Sequence, residues 1–372
     1  MAAARMRAGR TRWRGAWTLV LIGIVALLVS TTGLTTGEPA AKRGGAAPLF
    51  GYNEDWGPGD DRFMRASAGG ADVSRAVISW SAVEPRRGRE TWDHYDRLYE
   101  RMVEAGTRPL WVLADAPCWA WARKVSRCRK KDQFARPPDK DHDDDWADFA
   151  AGVVERYPET AAVASWNEPN LVDFWKPRPD VKRAAQITAA ADKAIRKVDP
   201  NVPVLLGGLA PLYETIPEKR EIAYDEFLRD AYDAVGRGHW DGVAMHPFPR
   251  FRNRDGFLRD IVDHLETVRK ALAKSRARGT PIWVTEIGLS TAGPFPYTAE
   301  EQADGLVRIY KRLARMRDVP AIIVHRLVDV AESDRAEAGW GVIRADGDPK
   351  PAYCALAKLR DRECPAEPPA AP

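Results

Sequence analysis

The chain has 372 residues, 45% of them hydrophobic and 30% charged, with a formal net charge of +4. This is ample for one large domain or two ordinary ones, and it excludes a small scaffold held together by disulfides or a metal. Arg5, Arg7, Arg10, Arg12 and Arg14 lie in residues 1–37, which hold no acidic residue, and setting those five charges aside leaves −1 for the rest, which speaks against a nucleic-acid-binding protein.

The arginines precede an uncharged stretch, residues 15–37, whose dense apolar part is 17–29. Such a run fits the core of a signal peptide better than a full membrane span, while its continuation through Thr36 is long enough for a tilted signal anchor. Residues 1–37 are therefore expected to be one or the other. Both readings export the body of the protein, which would be secreted or attached to the outer face of the cytoplasmic membrane, with the arginines left inside. Residues 38–48 belong to a stretch rich in Gly, Ala and Pro and predict a linker.

From residue 49 onward, short apolar runs alternate with segments of helical period. The predicted strands are 49–53, 74–80, 108–114, 161–166, 202–207, 242–246, 282–286 and 321–326. Helical segments between and after them include 92–105, 143–157, 181–198, 257–277, 299–316 and 352–359. Eight such units predict the α/β class and a single-domain (β/α)8 TIM barrel over residues 49–362, followed by a Pro/Ala-rich tail at 363–372. A doubly wound sheet fits less well, because no glycine-rich dinucleotide loop follows the first strand.

Cys118 and Cys128 are ten residues apart, as are Cys354 and Cys364. Four cysteines allow three connectivities, and the local pairing, each bond closing one loop or tail, is the preferred one in an exported chain. The spacing is wrong for zinc, and no cofactor or metal is predicted. The basic run 123–131 predicts a solvated loop, with an anionic glycan as the alternative partner. The acidic run 139–148 lacks the spacing of a calcium loop and suits the start of a helix.

In a barrel of this kind the chemistry sits at the C-terminal ends of the strands. The residues found there are Asn53 and Glu54 (strand one), Trp80 and Glu84 (two), Asp115, Trp119 and Trp121 (three), and Asn167, Glu168 and Asn170 (four). Strand six contributes His246, strand seven Glu286, and strand eight His325, Arg326 and Asp329. Two carboxylates, Glu168 and Glu286, end apolar strands, which is costly unless they are well paired or reactive. Two carboxylates brought together are the minimum equipment for cleaving a glycosidic bond.

Trp166-Asn167-Glu168-Pro169-Asn170, together with Trp283-Val284-Thr285-Glu286 ending strand seven, resembles the clan A glycoside hydrolases, most of all family 39 and family 5. Ile78-Ser79-Trp80 with Glu84-Pro85, Ala116-Pro117-Cys118-Trp119-Ala120, Val243-Ala244-Met245-His246-Pro247 and Asp346-Gly347-Asp348-Pro349-Lys350-Pro351 extend the resemblance over roughly residues 49–360. It implies a retaining, double-displacement enzyme acting on an oligosaccharide, polysaccharide or glycoconjugate. Glu168 would be the general acid/base and must begin the cycle protonated, a state favoured by burial and a second carboxylate. Glu286 would be the nucleophile, kept ionised by Arg75. Asn167 would bond the sugar 2-hydroxyl, and His246 would line the subsite beside the nucleophile. One of Trp119, Trp121 and Trp175 is expected to be a sugar platform.

Plain alternatives stand beside these roles. Arg75 could be a core ion pair, and His246 and His325 could be satisfied core histidines, the stronger reading for His325. Two positions depart from the pattern that the resemblance implies. His325 and Arg326 stand where many members end strand eight in Trp, and Phe248 stands where many have Tyr. Arg326, if it faces inward, would favour an anionic sugar. A carbohydrate-binding barrel without catalysis is the rival reading.

Overall fold

The structure, a computed structural model, describes residues 47–53, 62–121, 128, 134–250, 255–330 and 335–364. The expected signal peptide or anchor at 1–37, the linker except its last two residues, Glu54, the basic run apart from Cys128, and the tail from 365 lie outside the described residues. Among the described residues, no helix is long and apolar enough to cross a membrane.

Eight parallel strands close into one barrel in sequence order, β1 pairing with both β2 and β8. They are β1 (Leu49–Asn53), β2 (Val73–Ser79), β3 (Arg108–Ala114), β4 (Ala162–Ser165), β5 (Val204–Leu209), β6 (Gly242–Met245), β7 (Ile282–Ile287) and β8 (Ala321–His325). Each predicted strand is present, with ends displaced by at most two residues. Around them lie α1 (Arg62–Ala68), α2 (Trp80–Val83), α3 (Asp93–Glu104), α4 (Asp143–Arg156), α5 (Val181–Val198), α6 (Tyr224–Val235), α7 (Phe257–Lys274), α8 (Ala299–Leu313) and α9 (Pro351–Leu359).

Strand alternation divides the apolar residues into two cores. Val73, Leu110, Val112, Ala164, Leu205, Ala244, Trp283, Ala321 and Ile323 fill the barrel interior. Room for the large Trp283 comes from the adjacent β6, where Ala244 is its register partner and a Cβ at Gly242 would stand 2.8 Å from its ring. The residues between them on each strand face outward and pack against the helices, Trp111, Val163, Leu206, Val243 and Ile322 among them. The helices begin where local chemistry favours it. Thr298 and Glu301 form a capping box on α8, Asp180 caps α5, and Asp143, Asp144 and Asp145 occupy the first turn of α4, where the helix dipole favours negative charge.

Both disulfides join Cys118 to Cys128 and Cys354 to Cys364, with Cα atoms 5.6 Å and 4.7 Å apart.

Behind β4 sits an aromatic cluster. Trp146 on α4 is fully buried, with ring centroids 5.7 Å from Trp80, 5.7 Å from Phe149 and 6.1 Å from Trp166. Its Nε1 donates to the Ile187 carbonyl at 2.9 Å. Trp146→Ala is expected to cost about 3–5 kcal/mol of unfolding free energy, because it opens a cavity and strands that carbonyl. Urea unfolding of the variant measures it, and a loss below about 1 kcal/mol would contradict this account of the core.

Candidate active site

The two glutamates come together at the C-terminal mouth of the barrel by different local devices. After β4 the chain turns sharply: Trp166 and Glu168 adopt left-handed backbone angles, φ 75° and 42°, a region that costs a bulky residue about 1–3 kcal/mol unless its surroundings hold it there. The surroundings do so. The Trp166 indole is buried between Trp146 and Trp175 and donates to the Phe174 carbonyl at 2.8 Å. The Glu168 N–H is fixed to the Gly208 carbonyl at 2.9 Å. On β7, a shift in register between Val284 and Ile287 relative to β8 marks an irregularity in the strand at Glu286.

Buried Arg75 on β2 organises the centre. Its Nη1 donates to Glu286 Oε1 at 2.7 Å and to Asn53 Oδ1 at 2.8 Å, while its Nη2 donates to Asn167 Oδ1 at 2.8 Å. One guanidinium thus ties β1, β2, the β4 turn and β7. The Asn53 amide donates to Glu286 Oε1 at 3.2 Å and meets His325 Nδ1 at 2.9 Å. With its oxygen committed to Arg75, the amide can only donate to His325. Burial pushes the His325 imidazole down, against the opposing charge of Glu286.

Glu286 is 9% exposed. Burial alone would push its carboxyl up, but His246, Arg75 and His325 together outweigh that and hold it at about 2, against an ordinary value of 4.5. His246 on the other side is fully buried, and its Nδ1 lies 3.0 Å from Glu168 Oε1 and 3.8 Å from Glu286 Oε2. A single ring nitrogen therefore reaches both carboxylates, and those two oxygens cannot lie further apart than the sum of the two contacts. His246 reaches this position because residue 208 is glycine: a Cβ there would stand 2.4 Å from its Nε2.

A group whose folded-state pKa is depressed stabilises the protein above its unfolded pKa. That stabilisation is lost as pH falls through the folded value. For Glu286 the window runs from 4.5 down to about 2. The stability advantage of wild type over Glu286→Gln is therefore expected to narrow steadily as pH drops from 5 toward 2. Urea unfolding of both proteins across that range measures the difference, and an advantage independent of pH would refute the depressed carboxyl.

The structure thus brings Arg75, Asn167, Glu168, His246, Glu286 and His325 to one centre. His325, which read more readily as a core histidine, lies at the site, with Nδ1 3.6 Å from Glu286 Oε2. Trp175 is a correction. At 1% exposure it packs edge-on against Trp166, with centroids 5.3 Å apart, and has no free face for a sugar. Trp121 is buried as well, its Nε1 bonded to the Ala116 carbonyl at 2.7 Å. Trp119 alone of the three is half-exposed, with Nε1 on the Glu84 carbonyl at 3.0 Å and the Arg87 guanidinium 5.6 Å from its ring. Trp80 is core. Glu84 spends its two oxygens on Trp80 Nε1 and the Gly88 N–H, Asn170 ties the β5 loop at Ala210 and Ile222, and Asp329 pairs with Lys350 at 2.7 Å.

Asn53 was among the strand-end candidates, but its bridging role depends on neighbours distant along the chain. Trp340 was not singled out from the sequence and had no local signal. It comes from the loop after β8 and packs its ring 5.0 Å from Phe248 and 6.1 Å from His325, in the region where the resemblance expects an aromatic at the strand end. Arg326 is half-buried; burial pushes its guanidinium down while Asp329 opposes this, and its N–H donates to the Trp340 carbonyl at 3.2 Å. Among the described residues, no group of three or more His, Cys, Asp or Glu is placed to hold a metal ion.

No protein-family model matches the chain. A curated β-xylosidase from Geobacillus stearothermophilus is 22% identical over 259 residues, which are 59% of this chain and 46% of that protein. The chain therefore spans about half the length of the curated relative it matches. Among solved structures, a family 39 glycoside hydrolase from Bacteroides cellulosilyticus WH2 superposes with a TM-score of 0.65 at 21% identity, over 84% of this chain and 64% of that one. A family 5, subfamily 18 variant from Streptomyces cattleya, solved with Manβ1-4GlcNAc, has a TM-score of 0.62 at 17% identity, over 87% and 83% of the two chains. The curated relative and these structural neighbours are glycoside hydrolases, and the shared fold is the eight-stranded parallel barrel.

Proposed function

We propose that this protein is a retaining glycoside hydrolase. The observation that carries the proposal is the placement of Glu168 and Glu286 within 3.0 Å and 3.8 Å of the same His246 nitrogen. That ceiling on their separation leaves only the short end of the roughly 6.5–9.5 Å expected for an inverting pair, and it accommodates the roughly 5–5.5 Å of a retaining one.

Glu286, ionised and backed by Arg75, attacks the anomeric carbon and forms a glycosyl-enzyme bond. Glu168 gives its proton to the departing glycosidic oxygen. It then takes a proton from the water that releases the sugar, and both carboxyl groups return to their starting states. Asn167, whose Oδ1 accepts from Arg75, bonds the sugar 2-hydroxyl in this reading. The substrate is an oligosaccharide, polysaccharide or glycoconjugate. The barrel works outside the cytoplasm, secreted or tethered through residues 1–37, a reading supported by two disulfides.

The test is a panel of aryl glycosides and polysaccharides, begun with aryl β-xylosides because the curated relative is a β-xylosidase. The sugar first released should have the anomeric configuration of the substrate, followed by proton NMR at early times. Release of the opposite anomer would overturn retention. Glycan binding by calorimetry with no product over days would instead favour a carbohydrate-binding barrel without turnover.

A further inference from the structure

The two oxygens of Glu286 are not equivalent. Oε1 accepts from Arg75 Nη1 at 2.7 Å and from the Asn53 amide at 3.2 Å. Among the described residues Oε2 makes no hydrogen bond: His325 Nδ1 at 3.6 Å and His246 Nδ1 at 3.8 Å are both too far. Nor is Oε2 one of their enclosed, unpartnered polar atoms. Its lone pairs are the less committed ones and are reachable, so Oε2 is the oxygen suited to attack. An anomeric carbon poised for that attack stands about 3–3.5 Å from it, and hence within about 7 Å of His325 Nδ1. The ring and hydroxyls of a single sugar span that distance.

Three neighbours hold the His325 ring in place. The Asn53 amide meets Nδ1 at 2.9 Å. Phe248 stands edge-on with its centroid 5.9 Å away, and Trp340 lies 6.1 Å away, the two aromatic rings packing 5.0 Å from each other. Both polar contacts of the imidazole, with Asn53 and with Glu286, run through Nδ1. Nε2 has no hydrogen-bond partner among the described residues and is not one of their enclosed polar atoms, and 25% of the side chain is exposed. A ring nitrogen thus stands open beside the attacking oxygen, in a corner otherwise walled by aromatic rings.

We propose that His325 is a specificity-determining residue, with Nε2 hydrogen-bonded to one hydroxyl of the sugar under attack. Nε2 donates or accepts according to its proton, and a hydroxyl answers either way, so the assignment holds for both tautomers. Asn167 takes the 2-hydroxyl in the mechanism above, so the hydroxyl read by His325 is a different one. A tryptophan in this place would offer the sugar a stacking face; the histidine offers a directional contact that distinguishes a hydroxyl from a hydrogen at one ring position. The inference rests on the hydrolase reading and adds to it which wall of the site reads the sugar.

Wild type, His325→Phe and His325→Asn are compared on the aryl glycoside turned over fastest and on its monodeoxy analogues. The readout is the penalty in kcat/KM for each missing hydroxyl, a ratio from which any uniform loss through a disturbed Glu286 or Asn53 cancels. In His325→Phe the penalty at one position other than the 2-hydroxyl should shrink by about tenfold or more, while those at the remaining positions stay within about twofold of wild type. His325→Asn keeps a polar group toward Asn53 but is too short to replace Nε2. It should show the same selective change, and it carries the test if His325→Phe does not fold. Penalties that match wild type at every position, or that shrink equally at all of them, would overturn the proposal and leave His325 as a support for Glu286. If no glycoside is turned over, the hydrolase reading fails separately, and calorimetry with xylose and glucose decides the contact. Binding by wild type that weakens at least about tenfold in His325→Asn upholds it; no binding, or equal binding by both proteins, overturns it.

Discussion

Glu286→Ala is expected to lower kcat on an aryl glycoside by on the order of 10⁴-fold or more, since in the proposed mechanism it removes the group that bonds to the anomeric carbon. The structure attaches a second consequence to the same change. Arg75, 2% exposed, would lose its charged partner, and breaking a buried ion pair from one side costs about 3–5 kcal/mol. That is a large share of the 5–15 kcal/mol typical of a folded domain, so lost activity could reflect lost fold. Two controls separate them. Glu286→Gln keeps a hydrogen-bond acceptor for Arg75 and should be equally inactive but more stable. Adding azide or formate to Glu286→Ala should restore some turnover, with inverted configuration, by letting a small anion attack where the carboxylate stood. Full activity in either variant would remove Glu286 from the mechanism.

The second large effect belongs to Glu168. Glu168→Ala should slow substrates with poor leaving groups by about 10²–10⁴-fold, the range for losing a positioned acid. A dinitrophenyl glycoside, whose leaving group departs without a proton, should still form the glycosyl-enzyme at near wild-type rate. Its hydrolysis is then slow, because no base activates water, and a burst of dinitrophenol should precede a slow steady state. Pre-steady-state absorbance reads this directly. Equal losses for good and poor leaving groups would show Glu168 to be a structural carboxylate.

Several features of the site were open to inspection in the chain, for identifiable reasons. The eight strands announced themselves because buried parallel strands are short apolar runs bounded by polar residues, and Glu168 and Glu286 stood out as charges ending such runs. Burial of single aromatics was less accessible. Trp175 and Trp119 occupy similar loop positions in the sequence, yet one is sealed beneath Trp166 and the other is half-exposed. Asn53 looked like any polar strand end until its amide was found between Arg75, Glu286 and His325.

Periodicity and strand-end chemistry are local properties, legible over a few residues, and they were sufficient to define the barrel and nominate its two carboxylates. Pairing is non-local. The contact of His246 with both acids depends on the absence of a side chain at Gly208 on the neighbouring strand. The aromatic wall beside His325 comes from Trp340, beyond the end of its strand. Such arrangements depend on distances between segments that closure of the barrel brings together, and those distances are what bring two costly charges within reach of one histidine.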